Sequence, residues 1–238
     1  PVRDALAAQR AGADRRLVDC EAQRSALAAE LAAVREQRES PPPAPPTRTA
    51  DRGVLPGAPL WQLVDFVEDV PDATRAAVEA ALQASGLLDA WVLPDGTARI
   101  DGHDVLADPR LLPAVASRSL ADVLRPEPDA PVDAERVRAL LRAVAFDDQL
   151  PAAHPAAVGA DGTWRLAALT GSWAKPEPEH VGRTARERAR QRRIGELETA
   201  IAEAEEVLRT VRAQVAELAR RTGELAADLA ARPDRDAL

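Results

Sequence analysis

Tyrosine and methionine are absent from the 238 residues, cysteine and lysine occur once each, and phenylalanine twice. Each scarcity excludes something. A single cysteine, Cys20, rules out an internal disulfide framework and any Cys-rich zinc site. No apolar run approaches the roughly 18–20 uninterrupted residues of a membrane helix, so no membrane partner is expected. The opening Pro1-Val2-Arg3-Asp4 lacks the basic, apolar and small regions of a signal peptide, which points to the cytoplasm. The missing methionine, initiator included, fits a fragment or a processed product. Aromatics make up 3% against 46% hydrophobic residues, so the apolar content is mostly Ala, Leu and Val. That composition supplies helix faces better than one large ring-filled core. The formal charge of -8 excludes a strongly basic nucleic-acid binder as a description of the whole chain. Lys175 is the sole lysine among the 31 basic residues, an arginine bias read here as genomic.

What is present is heptad periodicity at both ends. Leu6, Arg10, Ala13, Leu17, Cys20, Arg24, Leu27, Leu31 and Val34 step by four and three, on a background of good helix formers. Ser40-Pro41-Pro42-Pro43-Ala44-Pro45-Pro46 ends that helix, because proline has no N–H to donate and clashes with the preceding turn. At the other end Ile194, Leu197, Ile201, Ala204, Leu208, Val211, Val215, Leu218, Thr222, Leu225 and Leu229 step without a slip, in a helix predicted from near Thr184 and stopped by Pro233. Each arm is about 50–70 Å long at roughly 1.5 Å per residue. One apolar stripe on a lone helix is marginal in water. The nearest partner is the other arm of the same chain, running antiparallel. Numbers in facing pairs would then sum to about 228, placing Val34 near Ile194, Leu17 near Val211 and Leu6 near Thr222. The alternative is that each arm pairs with a second copy.

Between the arms heptads vanish and turn signals appear: Pro56-Gly57, Pro94-Asp95-Gly96, Asp101-Gly102, Asp161-Gly162 and Gly171. All four Trp (61, 91, 164, 173) and both Phe (66, 146) lie here, as a compact core requires. The pattern predicts a strand over Leu60–Phe66, a helix from Pro71-Asp72 to Ser85, and a short strand over Thr97–Ile100. It also predicts a short helix near Ser119–Leu124, a helix from Val132-Asp133 to Ala145, and a hairpin of Ala156–Gly159 with Thr163–Leu169. Leu87–Leu93 is ambiguous. The expected fold class is therefore α+β: a small mixed domain at the tip of a long intramolecular antiparallel coiled coil. The divisions are an arm over 1–39, a Pro-rich tether over 40–56, the domain over 57–182, the returning arm over 183–232 and a tail over 233–238. Residues 53–182 carry 10 basic and 20 acidic side chains, a net of -10 that repels phosphate backbones over most of the surface.

Catalytic signatures are missing. There is no G-x-x-x-x-G-K-[ST] loop, no G-x-S-x-G, no H-E-x-x-H and no EF-hand pattern. His103, His154 and His180 fit no metal spacing. His103, between Asp101-Gly102 and Asp104, is the one histidine with acidic neighbours suited to metal or acid–base chemistry, but the stretch reads first as a polar turn. Glu68-Asp69 and Asp147-Asp148 read as caps or solvated surface. Cys20 falls on the seam and reads as a small buried hydrophobe. No catalytic residue, metal or cofactor is assigned to this fragment. The remaining cluster is Arg183, Arg186, Arg188, Arg190, Arg192 and Arg193, with Glu187 the only acid among them. One reading is a DNA-contacting collar, joined by Lys175. The other is a solvated helix start whose arginines pair with the acidic domain. Arginines at a helix N-terminus oppose the macrodipole, a cost that wants a reason. Trp173, beside Lys175-Pro176, reads as neck packing or as a stacking platform for single-stranded nucleic acid.

Coil, compact domain and returning coil is the layout of a structural-maintenance-of-chromosomes (SMC) hinge. The stretches Gly57-Ala58-Pro59-Leu60-Trp61-Gln62-Leu63-Val64-Asp65-Phe66, Ala80-Ala81-Leu82-Gln83-Ala84-Ser85-Gly86-Leu87-Leu88-Asp89-Ala90-Trp91-Val92 and Leu169-Thr170-Gly171-Ser172-Trp173-Ala174-Lys175-Pro176 go further. They resemble the central region of the SMC-like, condensin-type ATPases of Wadjet plasmid-defence systems, relatives of MukB and MksB. The resemblance covers about residues 57–194 and the generic coil on either side. It implies a hinge that homodimerises and relays the motion of ATPase heads in a DNA-loop-extruding complex. It implies DNA, kleisin, accessory and nuclease subunits as partners of the whole protein, and association with nucleoid or plasmid. No head motif is present here, so ATPase activity is not carried over to this chain. The repeated-glycine interface segments of classical hinges are also absent. A plain coiled-coil scaffold unrelated to that family is the other reading, and an enzyme using the coil only to oligomerise has no supporting feature.

Overall fold

The computed structural model describes residues 2–36, 41–95 and 102–231. The strand expected at Thr97–Ile100, the Asp101 side of the His103 turn and the stop at Pro233 lie outside the described residues. The chain divides into two units. One comprises Pro1–Arg38 with Gln191–Leu238, and the other Glu39–Arg190.

The first unit is a pair of helices, α1 (Val2–Glu36) and the greater part of α5 (Arg183–Ala230). Ala13, Leu31, Leu197, Leu208 and Val211 are buried, and Leu6, Leu17, Cys20, Leu27, Val34, Ile194, Ile201, Val215, Leu218 and Leu225 are half-buried. Leu229, assigned to the same stripe, is 44% exposed. Among the described residues, ion pairs crossing between the helices include Arg24–Glu205 (3.3 Å), Arg35–Glu198 (2.6 Å), Arg193–Glu30 (2.6 Å) and Arg212–Glu21 (2.8 Å). Their residue numbers add to 229, 233, 223 and 233. A near-constant sum is the signature of antiparallel pairing within one chain. Arg24, formally on the seam, turns outward to Glu205, so a charged seam position is tolerated at the rim. All four pairs are solvent-reachable and set register and orientation more than stability.

Among the described residues the second unit contains three small sheets. The strands β1 (Ala58–Pro59) and β3 (Trp91–Val92) pair antiparallel, as do β2 (Val64–Phe66) and β4 (Leu124–Pro126). The third sheet has the order β5 (Ala145–Asp147), β6 (Ala156–Gly159), β7 (Thr163–Leu166), β8 (Leu169–Ser172), with β5 parallel to β6 and the rest antiparallel. The longest helix of this unit, α3 (Asp72–Ala84), lies against β6, β7 and β8. Its apolar stripe of Val78, Ala81 and Leu82 is fully buried. Helix α4 (Ala134–Arg142) is capped by Asp133, whose carboxylate accepts from the Glu135 N–H at 2.8 Å, and buries Val137, Leu140 and Leu141. Trp61, Leu63, Phe66, Leu124, Phe146 and Val158 join one hydrophobic core.

Local differences from the sequence expectation have physical causes. Leu60–Leu63 is a single helical turn, α2, before strand β2, not one continuous strand. Leu60, Trp61, Leu63 and Val64 are all buried, a pattern without strand alternation. The expected helix near Ser119 is a 3-10 turn over Leu120–Asp122, where the Asp122 carboxylate accepts from the Ser119 N–H at 2.7 Å. The expected hairpin gains a third strand, β8. A Cβ at Gly171, within β8, would stand 2.7 Å from the Trp164 ring, so the close approach of these strands requires glycine.

With Cys20 replaced by serine, cysteines at positions 17 and 211 should crosslink within a single chain under mild oxidation. Positions 17 and 225, two heptads apart in register and so about 21 Å off, should not. Non-reducing electrophoresis reads both; crosslinked dimers from the first pair would contradict the intrachain register.

Candidate functional site

The outgoing side of the compact unit is built around one carboxylate. Glu79, on α3, is fully buried. Its Oε1 accepts from Lys175 Nζ (2.8 Å) and the Glu179 N–H (2.8 Å). Its Oε2 accepts from the N–H groups of His180 (3.0 Å) and Val181 (2.9 Å). Three successive backbone N–H groups and an ammonium thus surround one acid, a concavity of the kind that binds anions. Lys175 in turn sits among three oxygens at 2.8 Å: Glu79 Oε1, Glu179 Oε2 and Gln83 Oε1. Glu79, Glu179 and His180 also bring ligand atoms within 4.8 Å of one another, the spacing of a metal site. The donors just named saturate Glu79, and the ammonium already supplies the cation there. The arrangement is a closed ion pair, not a metal centre.

A second buried pair follows one turn into α5. Arg186 donates through Nη2 to Glu127 Oε1 (3.1 Å), both side chains being 7% exposed. Its Nη1 donates to the Trp61 and His180 carbonyls, each at 3.2 Å, and its guanidinium lies 5.7 Å from the Trp61 ring centroid. This contact supplies the reason for a cation at a helix N-terminus: the buried acid outweighs the small dipole penalty. Gly182, just before α5, has a φ of 84°, and any side chain there would collide with the Asp65 carboxylate.

The incoming side is fastened by arginines. Arg52 grips Asp104 through Nε–Oδ2 and Nη2–Oδ1, both at 2.7 Å, and reaches Asp89 Oδ1 (2.8 Å) and the Asp89 carbonyl (2.8 Å). Arg48 holds Asp89 Oδ2 at 2.7 Å. The Arg52 guanidinium stands 5.0 Å from the Trp91 ring centroid, and Trp91 Nε1 donates to the Pro56 carbonyl (2.9 Å). Residues 41–56, expected to be a tether, belong to the compact unit for this reason. Burial pushes the Asp104 carboxyl up, but the Arg52 and Val105 hydrogen bonds and the charges of Arg52 and Arg48 prevail and hold it below its ordinary value. Asp108 is held at about 2, chiefly by its hydrogen bond from Arg110.

Two of the seven basic residues assigned to DNA contact are therefore interior groups. Lys175 is 5% exposed and Arg186 7%, and each is committed to a buried acid, so neither meets a phosphate without the unit opening. Arg190 pairs with Glu187 at 3.4 Å. Arg193 pairs with Glu30 and Glu196, and Arg192 is half-buried. Arg183 and Arg188 are exposed, and Arg188 borders a cleft of about 270 Å³ whose wall also carries Asp65, Glu68, Asp72 and Glu177. Trp173 is 43% exposed and lies 5.5 Å from Lys175 Nζ, a packing contact at the fastening. His103 is exposed, and His154 Nδ1 lies 2.7 Å from the Ala156 carbonyl oxygen, a local turn contact. Sequence reasoning did not single out Glu79, Glu127, Arg52, Asp89 or Asp104. One signal was available: a lone lysine in a chain that otherwise uses arginine. A three-oxygen pocket fits a compact ammonium with three donors and not a planar fork.

No family model matches the chain, and no curated protein matches it. Among solved structures it is similar to the Pyrococcus furiosus Smc hinge domain with an extended coiled coil. That match has a TM-score of 0.40 and 17% identity over 95% of this chain and 89% of the other. It is also similar to the Geobacillus stearothermophilus SMC hinge domain, described as an asymmetric dimer. There the TM-score is 0.37 and the identity 14%, over 90% of this chain and 99% of the other. No helix among the described residues is long and apolar enough to cross a membrane.

Removing one partner of a buried pair strands the other. Glu127→Ala should cost about 3–5 kcal/mol in urea unfolding, because Arg186 stays buried without its acid. Lys175→Met should cost less, since three N–H groups still satisfy Glu79. Equal costs would contradict the saturated-carboxylate reading. Acid gives a separate check. The depressed Asp104 and Asp108 stabilise the fold fully above their unfolded value near 4, and that contribution is lost as pH falls through their lowered folded values, about 2 for Asp108. An Asp104→Asn, Asp108→Asn double variant should therefore be less stable than wild type at pH 7. The gap should narrow as pH falls below about 4, with the Asp108 share lost through about pH 2.

Proposed function

We propose that this chain is the hinge region, with adjoining arm segments, of an SMC-like, condensin-type protein. In this reading the compact unit homodimerises and the paired helices relay the motion of ATPase heads that lie elsewhere in the whole protein. The observation that carries the reading is the antiparallel pairing of α1 with α5 inside one chain, with Glu39–Arg190 inserted between them in sequence. A scaffold built to oligomerise through its coil has no need to close that coil on itself. The three sequence stretches that resemble the Wadjet proteins extend the reading to a loop-extruding complex directed against plasmids. DNA, kleisin, accessory and nuclease subunits are then partners of the whole assembly, and no cofactor is placed in this fragment.

DNA contact at the start of α5 is the second reading, and the exposure of Arg183 and Arg188 favours it. The net charge of residues 53–182 confines any such contact to a narrow strip, and the cleft beside Arg188 mixes Asp65, Glu68, Asp72 and Glu177 with Arg75 and Arg125.

Sedimentation of the 238-residue chain at tens of micromolar should show a dimer. The dimer should persist when the arms are locked by the 17–211 crosslink. A strict monomer, or a dimer abolished by that crosslink, would refute pairing through the compact unit. In the same preparation, Arg183→Glu with Arg188→Glu should remove any salt-sensitive binding to a short DNA duplex. Binding that survives the double change excludes the strip.

A further inference from the structure

The two chain connections of the compact unit look independent in sequence, more than a hundred residues apart. In the structure they meet on one element. The outgoing segment is fastened by Glu79, whose carboxylate takes Lys175 and the 179–181 backbone. One turn further along α3, Gln83 Oε1 takes the same Lys175 ammonium at 2.8 Å. Gln83 also borders a cleft of about 190 Å³ with Pro42, Pro43 and Pro45 of the incoming segment, and with Gly86, Asp89 and Asp104. Asp89, five residues past the end of α3, is the acid that Arg48 and Arg52 grip. Helix and loop are continuous here: the Leu88 N–H donates to the Leu82 carbonyl (2.9 Å), and the Ser85 N–H to that of Ala81 (3.0 Å). Leu82 and Leu88 are both fully buried.

We propose that α3 and the loop to Asp89 form a single brace to which both chain connections are fastened, so that loosening one is felt at the other. The brace is a conformational device within residues 41–186, and it stands whether or not the chain belongs to an SMC-like protein. Gln83 is the shared residue, with its amide oxygen on the outgoing lysine and its flank lining the cleft that the incoming prolines also border. Coupling of this kind is reciprocal: what the incoming segment does to the outgoing one, the outgoing one does in return. It needs no large motion, because a rigid, buried helix end changes position only as a unit.

Hydrogen exchange read by mass spectrometry on the full chain tests this. Arg52→Ala removes contacts made only by the incoming segment. It should raise exchange over 41–56 and also, by about threefold or more, at the 179–181 amides. Gln83→Ala should raise exchange in both segments. Protection in β6 and β7 reports that the unit is still folded. Should Arg52→Ala strip that protection, Arg52→Lys is read by the same criterion. Faster exchange confined to 41–56 in the arginine variant, with unchanged 179–181 amides, would overturn the brace.

Discussion

A carboxylate with no access to water must have every lone pair answered, and in this protein one such group organises the end of a domain. Glu79 is answered by an ammonium and by three consecutive backbone N–H groups, and those four donors belong to the segment that becomes α5. The segment's path is thereby fixed before its helix begins. Gly182 then makes a backbone turn that a side chain would forbid, and Arg186 pins the first turn against Glu127 and Trp61. Burial of polar groups is unfavourable unless they are answered, so this region is held by specific partners rather than by graded packing.

The two units rely on different physics. In the coil, small apolar residues make a thin seam, and ion pairs at its rim fix direction and register at low energetic return. In the compact unit the scarce aromatics are concentrated. Trp61, Trp91 and Trp173 each stand beside a cation that fastens a chain connection; Trp61 and Trp91 are buried, while Trp173 covers the Lys175 pocket from a partly exposed position.

Legibility in the sequence followed the range of the interactions. The arms were readable because a heptad repeat is local and redundant, and Leu31 and Val211 are buried and Leu17 half-buried as their spacing requires. Their antiparallel pairing within one chain was one of two readings, decided by the ion pairs between α1 and α5. Helices α3 and α4 were readable from stop signals and apolar stripes. Strand β8 was not, because Leu169-Thr170-Gly171-Ser172 has no alternation and owes its place to the Trp164 ring beside Gly171. The fastenings were not readable either. Glu79 and Lys175 are 96 residues apart, and an acid on a helix reads as solvated surface until the segment that covers it is seen. Arginines 183 to 193 form a run in the sequence, yet the fold sends Arg186 inward and leaves Arg183 and Arg188 outside.

The burial of Lys175 has a chemical corollary. It carries the only side-chain amine in the sequence, and the fold shields that nitrogen among three oxygens. Reagents that acylate amines find no other lysine to react with. Their attack on this one must wait for the pocket to open, so its acylation rate is a built-in clock for that opening.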